Sequence, residues 1–195
     1  MKERVMASIS TFFKGEALEL QDPSWAKFLF NDRRAAWLWL VVRIWLGWQW
    51  IEASLHKIND PKWVVTGEAL KGFWTRAVAI PEPPARPPIA FDWYRAFIQS
   101  LLDAQSYTWF AKLVAYGELL VGIGLIVGAI VGITAFFAAL MNWNFMMAGT
   151  ASTNPLLFLV AILLILAWKV AGYYGADFFI LRWLNRNKTP QAAQS

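Results

Sequence analysis

The chain has 195 residues, of which 58% are hydrophobic and 13 are tryptophan, with a formal net charge of +5. Gathered into long uncharged runs at a mean hydropathy of +0.40, this composition is that of an integral membrane protein rather than a soluble core. The absence of cysteine excludes disulfide exchange, thiolate catalysis, iron–sulfur clusters and cysteine-based zinc sites, and the single histidine, His56, excludes a bis-histidine haem held by this chain alone.

Without a basic patch interleaved with aromatics, the positive charge suits cytoplasmic Lys/Arg beside anionic lipid rather than nucleic acid. The expected partner is the lipid bilayer. No metal and no covalently bound cofactor is expected, so any redox cofactor or redox partner comes from outside the chain.

Residues 1–34 form a mixed-charge, amphipathic segment, with Lys2, Arg4, Lys14, Lys27, Arg33 and Arg34 against five acidic residues. No short apolar stretch with a small-residue cleavage site follows the basic start, so a removable signal peptide is not expected. The segment suits the membrane surface or a solvated tail equally.

A first membrane crossing is expected at 35–54, interrupted by Arg43. At 100° per residue Arg43, Gly47, Trp50, Ser54 and Lys57 share one face, and Glu52 points nearly opposite. Residues 55–107 form a long outer connector. Its proline run PEPPARPP at 81–88 forbids a helix. On either side, 62–79 and 91–106 suit short amphipathic helices.

The stretch from Trp109 to Gly149 is long enough for two crossings, 108–128 and 131–148, joined by a very tight turn between Gly128 and Gly132. Gly124, Gly128 and Gly132 offer a small-residue stripe for close helix approach. A fourth crossing is expected at 155–173, with Lys169 snorkelling near its end, and a tail at 178–195. The predicted fold class is therefore an all-α, four-helix transmembrane bundle over 35–177, with a long outer loop carrying surface helices. Both termini are placed on the cytoplasmic side of the cell membrane by the positive-inside rule.

A carboxylate in mid-membrane is costly unless paired, which makes Glu118 the principal candidate. At ~1.5 Å per residue, Arg43, Glu118 and Asn142 come out at similar depths, and an Arg43–Glu118 ion pair with an added Asn142 hydrogen bond is the natural solution. Nearer the outer surface lie Glu52, His56, Lys57 and Asn154, and Asn144 points nearly opposite to Asn142. Each of these also has a bland reading, as helix-packing, loop or interfacial residues.

Arg43, Gly47 and LHKIND-PKW at 55–63 resemble the first-helix signature of the DoxX/DoxD family. GELLVGIGLIVG at 117–128 resembles its second-helix motif, and MNWNFMMAGTASTNP at 141–155 its third-helix exit and loop. The resemblance runs from about residue 37 to 177. It implies a four-helix membrane protein and the membrane subunit of thiosulfate:quinone oxidoreductase, which oxidises thiosulfate to tetrathionate and reduces quinone.

On that reading Lys57 and Arg43 have the sign to capture thiosulfate, and quinone is a diffusible co-substrate. Trp50, Trp143, Asn142 and Glu118 would line a quinone pocket, with Glu118 relaying a proton. With no cofactor of its own, the chain would pass electrons directly from sulfur to quinone or rely on other membrane or periplasmic subunits. Two further readings stay open. One is a non-catalytic accessory subunit of a larger respiratory or photosynthetic complex; the other is a small transporter or channel.

Overall fold

The computed structural model describes residues 21–186, and within them all regular structure is helical, with no strand. In order these are α1 (Ser24–Asn31), a 3-10 turn (Arg33–Ala35), α2 (Ala36–Ile58), α3 (Pro61–Val64), α4 (Glu68–Val78), α5 (Asp92–Asp103), α6 (Tyr107–Val127), α7 (Val131–Met147), α8 (Asn154–Leu166), α9 (Trp168–Ala171) and α10 (Asp177–Arg186). Most of the expected N-terminal surface segment (1–20) and the end of the tail (187–195) lie outside the described residues.

By length and composition α6 is able to cross a membrane; α7 and α8 are equally apolar but shorter. Helix α2 has 23 residues but carries Arg43, Glu52 and Lys57 among its tryptophans. The last apolar segment, expected as one helix over 155–173, breaks at Ala167, where the backbone turns to φ −86°, ψ 9° before α9 begins. There Trp168 lies so close to α7 that a Cβ on Gly132 would come within 3.0 Å of its Cβ.

Helices α2, α6, α7 and α8 pack in a ring, α2 on α6, α6 on α7, α7 on α8, and α8 back on α2. Their shared core is built from Trp39, Leu46, Trp50, Leu125, Val131 and Leu164 with small alanines between. The α2–α6 contact is the tightest. A Cβ on Gly47 would lie 2.8 Å from the Gly122 carbonyl oxygen, so the two backbones meet through glycine alone. The anticipated stripe of Gly124, Gly128 and Gly132 does not form one interface. Gly124 faces Thr134, Gly132 faces Trp168, and Gly128 is the turn itself.

One end of the ring carries the connector. There α4 and α5 pack on each other over a second apolar cluster of Leu70, Trp74, Ile89, Tyr94 and Ile98, separated by the non-helical proline run. Asp60 starts α3 by accepting the Lys62 amide at 2.9 Å, with Pro61 in the first turn.

The opposite end is closed by the turn between α6 and α7. The sequence Val127–Val131 supplies no polar side chain to satisfy the helix ends, whose free carbonyls and amides need partners. Two distant residues provide them. Arg43 of α2 donates Nη1 to the Leu125 and Ile126 carbonyls at 2.6 and 2.7 Å, and Nη2 to the Tyr174 carbonyl at 2.9 Å. Asp177 accepts the Ile130 and Val131 amides, the latter at 2.9 Å. A cation thus sits at the C-terminus of α6 and an anion at the N-terminus of α7, each with the favourable sign for the helix dipole. Backbone bonds from Ala176 and Asp177 to Val127 and Gly128 complete the seal.

Gly128 has φ +72°, and a Cβ there would lie 2.5 Å from Arg43 Nη1. Gly128→Ala should therefore combine left-handed backbone strain with loss of the Arg43 bonds, costing about 2–4 kcal/mol. Asp177→Ala should cost about 1–2 kcal/mol, as for loss of a helix N-cap. Thermal unfolding followed by circular dichroism checks both, and a Gly128→Ala protein as stable as the parent would show that the turn does not depend on this clamp.

Candidate functional site

The antiparallel register of α2 and α6 follows from Arg43 against Leu125 and Ser54 against Ala115, whose carbonyl accepts the Ser54 hydroxyl at 2.9 Å. Glu118 is then roughly eight residues along the axis from Arg43, ~12 Å. The Cα–Cβ bonds of a helix lean towards its N-terminus. On antiparallel helices this tilts Arg43 towards the turn and Glu118 towards the connector, so the two diverge. The expected Arg43–Glu118 ion pair does not form.

Lys57 takes that place. It lies nearer the connector end of α2, leans back along the axis towards Glu118, and reaches both carboxylate oxygens with Nζ at 3.0 and 2.7 Å. Glu118 is buried, and Lys57 is partly exposed with its ammonium 5.4 Å from the centre of the Trp63 ring. Arg43 is also fully buried, but its guanidinium is committed to backbone carbonyls at the turn end.

The Lys57–Glu118 pair lies on an open cleft of about 740 Å³. The cleft is walled by the second half of α2, by α4, and by the 150–157 stretch leading into α8. Trp63, Phe73, Phe145 and Leu157 make its apolar surface. Glu52, His56, Asn154, Trp50 and Asn142 line it too, so seven of the sequence-predicted site residues meet in one place. Glu52 and His56 are exposed, and Asn154 is held by an Nδ2 bond to the Thr150 carbonyl at 3.0 Å.

Two buried polar groups on this cleft have no partner within the described residues. Trp50, 3% exposed, leaves its Nε1–H unbonded, and Asn142, 0% exposed, leaves both its amide nitrogen and its oxygen unbonded. The expected hydrogen bond from Asn142 to an Arg43–Glu118 pair is therefore absent. Unpaired buried polar groups of this kind are rare in folded proteins and ask for an explanation.

Three of the candidates lie elsewhere. Arg43 belongs to the turn. Trp143 and Asn144, on the other side of α7 from Asn142, sit beneath α5: Trp143 meets the Tyr94 ring edge-to-face at 6.0 Å, and Tyr94 donates its hydroxyl to the Asn144 carbonyl and Oδ1, both at 3.1 Å. Conversely, the cleft includes Glu68 and Arg76, which sequence reasoning did not single out. Their signal was present, since both fall on one face of the amphipathic segment after Gly67. Asp177 was missed as well, because nothing local marks a post-helical aspartate as the cap of a helix that begins 46 residues earlier.

These features define a class: an all-helical protein with a preformed polar cleft sunk into an apolar helix ring. No family model, no curated protein and no solved structure matches the chain.

Replacing Lys57 alone strands a buried carboxylate. Lys57→Met should cost about 3–5 kcal/mol, and adding Glu118→Leu should restore most of it. Denaturation of the single and double variants tests this, and additive losses would show that the two groups are not coupled. At the α5–α7 contact, burial pushes the Tyr94 phenol up to about 12 from an ordinary ~10. The raised value means that this contact's contribution is fully present below ~pH 10 and is lost as pH rises through about 12. A spectrophotometric alkaline titration should show a late phenolate step that Tyr94→Phe removes.

Proposed function

We propose that the chain is a multi-pass protein of the cytoplasmic membrane, with α2, α6, α7 and the α8–α9 segment as its four spans, and that it serves in quinone-linked redox chemistry. Lengths of 23, 21 and 17 residues for the first three correspond to ~35, ~32 and ~26 Å, against a hydrocarbon core of ~30 Å. Large apolar side chains point outward along all four, among them Trp45, Leu120, Phe136 and Leu159, which is the surface a bilayer covers. Arg33, Arg34 and Arg182 flank the spans at the turn end, which the positive-inside rule assigns to the cytoplasm. The cleft then opens on the outer side.

The observation that carries the redox reading is the buried Lys57–Glu118 pair on a cleft with unpartnered Trp50 and Asn142. Reduction of a quinone takes two electrons and two protons, and a carboxylate–ammonium pair beside an accessible cleft is able to hold and release a proton. The donor half-reaction implied by the DoxX/DoxD resemblance joins two thiosulfates through a new S–S bond into tetrathionate, releasing two electrons. The chain has no cysteine and one histidine, so those electrons pass directly from sulfur to quinone or through another subunit.

A second reading, a non-catalytic accessory subunit of a larger membrane complex, is favoured by one observation. Trp37, Val41, Trp45 and Trp48 are all exposed at helical spacing on one face of α2, a broad surface suited to a partner helix. Quinone reduction by the purified protein in nanodiscs, with thiosulfate as donor, separates the two. Donor-dependent turnover that falls about 10²-fold in Glu118→Gln, with helical content retained, is the expected result. No turnover from folded wild type transfers the assignment to the accessory role.

A further inference from the structure

We propose that the turn end of the molecule carries a binding groove for the phosphate headgroup of an anionic phospholipid. This rests on the multi-pass reading, which puts that end at a bilayer surface, and not on the redox chemistry.

Helix α1 and the 3-10 turn after it frame an open groove of about 700 Å³, at the opposite end of α2 from Lys57. Its charged lining is Lys27, Arg33 and Arg34 against Asp22 and Asp32. Asp32 is already paired. It accepts Nε and Nη2 of Arg34 at 2.9 and 2.7 Å, and the Arg34 amide at 2.8 Å. That leaves Lys27 and Arg33 with Asp22. A third cation comes from across the fold. Helix α9 packs on α1 and brings Lys169 Nζ to 3.4 Å from the side-chain oxygen of Asn31, which lines the groove. None of Lys27, Arg33 and Lys169 forms an ion pair among the described residues. Three cations against one carboxylate leave an excess of positive charge that a phosphate oxyanion offsets.

The surroundings decide between a lipid and a soluble phosphate. Arg33 places its guanidinium 5.4 Å from the centre of the Tyr173 ring, and Arg34 lies 5.9 Å from that of Phe28. Trp25 on α1, Trp37 in the first turn of α2 and Trp168 beside Lys169 are all exposed. Indoles placed this way suit the headgroup level of a bilayer, with a wet polar tip and an apolar ring. Further along α2 the outward surface continues as Val41, Ile44 and Trp45. Cations resting on aromatic rings at the rim of an apolar belt match a ligand with a charged head and a hydrocarbon tail. A free phosphate would use only the first half of that surface.

The test is lipid binding to the full chain in detergent, read by native mass spectrometry. The probes are a short-chain phosphatidylglycerol, a short-chain phosphatidylcholine and inorganic phosphate. Residues 1–20, with their three glutamates, compete in every arm. Phosphatidylglycerol should bind about tenfold more tightly than phosphatidylcholine, and equimolar inorganic phosphate should not displace it. Lys27→Gln and Arg33→Gln, both at exposed positions, should each weaken it about fivefold with helical content retained. Lys62→Gln, which removes the same charge at the connector end, should leave it unchanged.

Equal affinity for the two lipids would overturn the proposal, as would a phosphatidylglycerol affinity indifferent to Lys27→Gln and Arg33→Gln. Equal weakening by Lys62→Gln would reduce the preference to net charge and overturn it as well. Displacement by inorganic phosphate would assign the groove to a free oxyanion, with the same result. The multi-pass reading fails by a different sign, a folded chain that stays in solution without detergent. A chain that needs detergent yet shows no headgroup preference sinks the groove alone.

Discussion

The interaction on which the architecture depends is the closure of the α6–α7 turn by Arg43 and Asp177. A three-residue connection between two apolar helices leaves carbonyls at one helix end and amides at the other without partners inside the helices. The guanidinium covers the carbonyls and the carboxylate covers the amides. Because Arg43 lies on α2 and Asp177 begins α10, closing this turn also fixes α2 and the start of α10 against the α6–α7 pair. The register of α2 on α6 follows, and with it the level at which Lys57 meets Glu118.

Some of this is legible in the sequence. Helical periodicity alone puts Arg43, Gly47, Trp50 and Ser54 on one face of α2, and all four are buried. The non-helical proline run, its two flanking helices and the Gly128 turn are also readable from composition. The partner of Glu118 is not read correctly from depth alone. Counting residues from assumed span ends places Arg43 and Glu118 at one level, whereas α2 continues to Ile58 and carries the ladder further towards the connector. The lean of side chains towards the helix N-terminus was the available signal, since it separates Arg43 from Glu118 and brings Lys57 towards it. The clustering of Glu52, His56, Asn142 and Asn154 on one cleft depends on how α4 folds back over the ring, which no local pattern encodes.

The site is therefore assembled from groups with different obligations. Lys57 and Glu118 neutralise one another, and what remains unsatisfied is neutral: an indole N–H and a primary amide. Charge counted along a sequence suggests an anion trap. After pairing, Glu52, Glu68 and Arg76 remain charged on the cleft, while its buried groups without partners are neutral. The difference arises wholly from tertiary contacts, above all from Arg43 being consumed by backbone carbonyls.

The seal at the turn end has one more consequence, for traffic. Beyond the buried pair the ring is filled by Leu46, Leu125 and Val131, and past them stands the clamp itself. Between the cleft and the clamp the ring is packed with side chains, and a path from one to the other would require breaking the bonds that hold α6 to α7.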